Sequence, residues 1–180
     1  MTDGIAKDLP LVSTIFRSID VVGRVRENFL KRKILAFLID MNRVSASDRK
    51  TAMAKLFSGE KERRKFYDLI LHVVDELRTD ERVHMVASLF IALLTGGLTE
   101  GQFRRLCDVV RNVDREHLRI LGSLDERRPV LANEAEIGFV TFYALAAPDY
   151  TPHGDGHGLR YRRTPLGTAF MDALGTLAAD

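Results

Sequence analysis

Between residues 29 and 124 the apolar positions return every three or four residues, the spacing that gathers them on one face of a helix. Leu30, Ile34, Phe37, Leu38 and Met41 form the first such stripe, with Lys31, Arg32 and Lys33 beside it. Ser45 followed by Asp48 resembles a capping box and opens a helix carrying Ala52, Met53, Leu56 and Phe57, which Ser58-Gly59 ends. Phe66, Leu69, Ile70, Val73, Val74 and Leu77 predict the next helix. From Glu81 to Leu94 the residues Val83, Val86, Ala87, Leu89, Phe90, Ile91, Leu93 and Leu94 leave almost no polar face. A helix apolar nearly all round belongs at the buried centre of a bundle, and Gly96-Gly97 ends this one. Thr99 with Gln102 opens a helix with the stripe Phe103, Leu106, Cys107, Val110 and Val113, and Asp114 caps a shorter one through Leu124.

The pattern changes after Asp125, where Glu126, Arg127, Arg128 and Pro129 read as a connection. Asn133 with Glu136 predicts the cap of a helix bearing Ile137, Phe139, Val140, Phe142, Tyr143 and Leu145, which Pro148 closes. Tyr150-Thr151-Pro152, the turn-rich stretch from His153 to Gly158, and the run from Leu159 to Arg163 then predict a two-stranded hairpin. Thr164 followed by Pro165 is an N-cap with proline in the first helical position, and Leu166, Ala169, Phe170, Leu174 and Leu177 supply the last stripe. Ahead of all this, Leu9 to Val25 predicts one or two short helices after Pro10. The fold class expected is mainly α: a helical bundle over residues 1–125, then a winged-helix-like helix–β-hairpin–helix module over residues 126–180 packed on it.

Composition narrows the class further. No stretch approaches the roughly 18 consecutive apolar residues of a membrane-spanning helix. The opening MTDGIAKDLP lacks a basic segment followed by an apolar one, so no secretory signal is read there. Cys107 is the single cysteine and cannot form an internal disulfide, which favours a reducing cytoplasm. The net charge is +2, but residues 1–65 hold 15 Lys and Arg against 8 Asp and Glu, so the first third is the basic part.

Candidate chemistry is sparse. Glu81 with His84, and Asp114 with His117, share the acid-x-x-His spacing that bundle metalloenzymes use. Each acid also stands at a helix start, where it serves the helix dipole, and no further carboxylates lie within the apolar stripes to complete a site. His153, Asp155 and His157 sit on a glycine-rich tract that reads as a solvated hairpin tip. Cys107 lies on an apolar face and reads as a small core hydrophobe. No phosphate loop, nucleophile elbow or zinc-helix motif is present, and no catalytic residue, metal or cofactor is expected. Two basic clusters remain as candidate nucleic-acid contacts: Arg24, Arg26, Lys31, Arg32 and Lys33, and Arg160, Arg162 and Arg163 around Tyr161 on the second hairpin strand.

The run from Arg82 to Phe103, continuing to His117-Leu118-Arg119-Ile120-Leu121, resembles a pattern in small bacterial proteins of phage-defence neighbourhoods, including the Abi-alpha abortive-infection type. Leu159 to Gly167 is similar to the strand-to-helix close of many winged-helix modules. Together these cover about half the chain, and neither resemblance implies active-site residues. The expected function is a non-enzymatic bacterial binding or adaptor protein acting on a protein partner or a nucleic-acid backbone, with self-association open. A membrane-associating effector is the alternative. It would use Leu11, Val12, Ile15, Phe16, Ile19 and Val22 as an apolar face, with Arg17, Arg24 and Arg26 meeting anionic headgroups. A bundle metalloenzyme is the second alternative.

Overall fold

The computed structural model describes residues 24–126, 130–131, 134–150 and 160–175. The helices expected over Leu9 to Val25, up to residue 23, the cap at Asn133 and the tract from His153 to His157 lie outside them. The elements of the described residues run in the order α1 (Arg24–Met41), α2 (Ala46–Leu56), α3 (Glu60–Glu76), α4 (Asp80–Leu94), α5 (Glu100–Asn112), α6 (Arg115–Ser123), β1 (Val130–Leu131), α7 (Glu134–Phe142), β2 (Ala146–Asp149), β3 (Arg160–Arg163) and α8 (Pro165–Gly175). The protein is mainly helical, a helical bundle with a winged-helix-like module at its C-terminal end. None of the described helices is long and apolar enough to cross a membrane.

Two compact units divide between Glu100 and Gly101, earlier than the boundary at residue 125 that the pattern alone placed. The reason is local packing: α6 lies against α7 and α8, so the helices before Asp125 join the strands after it.

The first unit holds α1 to α4. Nine of the fifteen residues of α4 are buried, more than in any other described helix, because its apolar residues occupy more than one stripe. Phe37 of α1 stacks on Phe90 at a ring separation of 5.9 Å, and Phe66 of α3 meets Phe90 at 5.8 Å and Phe57 at 4.6 Å. Burial of such rings supplies about 1.5–3 kcal/mol each relative to exposure. The starts of α2 and α4 are capped as their sequences require: Ser45 accepts from the Asp48 amide and Thr79 from the Arg82 amide. At the end of α4, Gly96 (φ 83°) takes the left-handed turn of a Schellman motif, in which the Gly97 amide reaches back to the Ala92 carbonyl at 2.7 Å.

The second unit holds α5 to α8 and a sheet of order β1-β3-β2, antiparallel throughout. Its hairpin begins earlier than the sequence pattern places it: β2 is Ala146–Asp149, so Pro148 sits inside a strand instead of closing a helix. Proline is tolerated there because β2 is an edge strand with one side of its backbone unpaired. A third strand, β1, forms directly after the connection read at residues 126–129, where the sequence pattern predicts no strand; it pairs Val130 with Tyr161 and Leu131 with Arg160. Helix α7 also ends in a Schellman motif, with Leu145 donating to Val140 at 2.7 Å and Ala144 to Thr141 at 2.9 Å. Here the left-handed position is held by Ala144 (φ 53°) rather than glycine.

Candidate interaction surfaces

The basic residues lie on described elements, and two of them, Lys33 and Arg163, bond carbonyls at helix ends. Arg24 and Arg26 fall on the first turn of α1, and their side chains are outside the described residues. Lys31 is half-buried. Arg32 pairs with Asp80 at 3.2 Å and lies 5.5 Å over the ring of Phe29. Lys33 donates from Nζ to the carbonyl of Asp75 at 2.7 Å, in the last turn of α3, where carbonyls lack helical partners and the dipole favours a cation. Arg49 does the same for α1, a role that charge and spacing alone did not reveal. It is 7% exposed and donates to the carbonyls of Met41 at 2.7 Å and Val44 at 2.5 Å.

Strand alternation separates the second cluster. Tyr161 and Arg163 share the inner face, while Arg160 and Arg162 share the outer one. Tyr161 is 5% exposed, as expected of a residue pointing inward. Arg163 reaches the C-terminal end of α6, donating to the carbonyl of Leu124 through Nε at 3.1 Å and through its terminal nitrogen as well. Arg160 stands across the ladder from Asp149, an opposite charge, and Arg162 stands across from Ala147 and is exposed.

The two histidines of the acid-x-x-His pairs have structural partners. The Nδ1 of His84 lies 2.6 Å from the carboxylate of Asp40, tying α4 to α1. Asp114 and His117 form a reciprocal capping box at the start of α6, each satisfying the other's backbone amide at 2.9 and 3.2 Å. The His117 ring also stacks on Phe139 at 3.8 Å. Among the described residues no three His, Cys, Asp or Glu side chains gather to hold a metal ion. Cys107 is buried, and desolvation pushes its thiol up to about 12, far from a nucleophile's range.

One surface was not singled out from the sequence. Ile34, Phe37, Leu38 and Met41 bury one side of α1, yet Phe29, Leu35 and Ile39 on the other side are 53%, 47% and 57% exposed. Asn28, Arg32, Leu35 and Ile39 fall on a single line of the helix surface, with Phe29 beside Arg32. The available signal was that α1 carries apolar residues on both faces, more than one packed side requires. In the second unit Phe142 and Tyr150 are each 80% exposed, at the ends of α7 and β2.

Comparison with family models, curated proteins and solved structures finds no match to the chain.

Proposed function

We propose that this is a non-enzymatic binding or adaptor protein that works by docking a protein partner on the outer face of α1. The observation that carries the reading is the exposure of three large apolar side chains, Phe29, Leu35 and Ile39, on a helix whose other side is already packed. Large side chains held at the surface along one helix suit burial against another protein, since interface cores are built from such residues. A nucleic-acid backbone is the weaker candidate, because Lys33 and Arg163 end helices and Arg32 and Arg160 face carboxylates. The resemblance to Abi-alpha-type proteins would set the partner among proteins of bacterial phage defence.

The test has two arms. A photo-crosslinking amino acid at position 35 of the full chain, in cells that make it naturally, should give one discrete protein adduct, reduced by Ile39→Asp. Titration of unrelated DNA duplexes with micromolar protein near physiological salt should show no binding. Absence of an adduct, together with DNA binding that weakens by about 0.9 in log K per log salt for each phosphate contacted and falls on Arg162→Ala, would overturn the proposal.

A further inference from the structure

We draw no further inference here: the strongest candidate, the surface patch of contacting rings that His117 of α6 forms with Phe139, Phe142 and Tyr143 along and just after α7, is an aromatic face with nothing in the structure to show what covers it.

Discussion

Gly167 of α8 lies so near Leu145 that a Cβ at that position would fall 2.0 Å from the Leu145 carbonyl oxygen. The approach is made by backbone, so no side chain can swing aside to relieve it. Thr164 fixes the same joint: its hydroxyl donates to the Ala144 carbonyl at 2.7 Å and accepts from the Gly167 amide at 3.1 Å. The Thr-Pro-Leu-Gly segment that resembles a winged-helix close therefore has a mechanical meaning. It seats the start of α8 on the turn between α7 and β2.

Gly167→Ala should accordingly destabilise the protein by about 3 kcal/mol or more, at the upper end of overpacking costs. Gly138 provides the contrast, because it is in α7 and nothing stands within 4 Å of an added Cβ. Gly138→Ala should raise stability by about 0.5–1 kcal/mol through helix propensity. Urea unfolding of the two variants checks both signs.

Ala144 carries a left-handed backbone that costs an L-residue about 1–2 kcal/mol. Replacing it with glycine should stabilise the protein by about 0.5–1 kcal/mol, the relief of strain being partly offset by a freer unfolded chain. Gly96→Ala, at the equivalent position after α4, should cost about 1 kcal/mol. Opposite shifts of thermal midpoint for the two substitutions are the expected result; shifts of the same sign would contradict the motif assigned to one of them.

The arginines of β3 should separate sharply when each is changed alone. Arg163→Ala removes donors to the carbonyl of Leu124 and should cost about 1.5–3 kcal/mol, whereas exposed Arg162→Ala should stay within about 0.5 kcal/mol of the parent. Arg49→Met, which strips the end of α1, should behave like Arg163→Ala. Equilibrium unfolding of the three single variants decides whether the charges are structural.

Cys107 should react with iodoacetamide at pH 8 only after unfolding. Its thiol pKa is about 12 when folded against an ordinary value of 9.0, through burial above all. Above pH 9 the unfolded chain gives up this proton while the folded one keeps it, so stability falls as pH rises, by up to about 1.4 kcal/mol per pH unit from this group, until pH 12. Cys107→Ala should remove that component of the alkaline slope. An unchanged slope would show that other groups set it.

The helices were legible because their evidence is periodic: the stripe Phe66, Ile70, Val73, Val74 and the crowding on α4 can be read without knowing any contact. Strand β1 was not, because two residues are too few to show alternation and its pairing with Tyr161 and Arg160 comes from across the unit. Pro148 misled because a helix breaker and an edge-strand residue look alike in sequence. The basic clusters were visible as charge but not as partners, since Lys33 meets a carbonyl 42 residues away and Arg163 one 39 residues away. The exposed side of α1 was passed over because the stripe Leu30, Ile34, Phe37, Leu38 and Met41 already accounted for a packed face, and Leu35 and Ile39 fall outside it.

The helix ends described above put the protein's isoelectric point, about 8.8, in another light. Lys33, Arg49 and Arg163 place cations where three helices terminate, a task that glycine performs after α4 and alanine after α7. A chain that stops its helices with side chains from other elements accumulates positive charge in proportion to the number of ends it must stop. Three of its 27 lysines and arginines thus record how the chain is assembled, and a screen that ranked proteins for nucleic-acid binding by basicity alone would count this carpentry as contact surface.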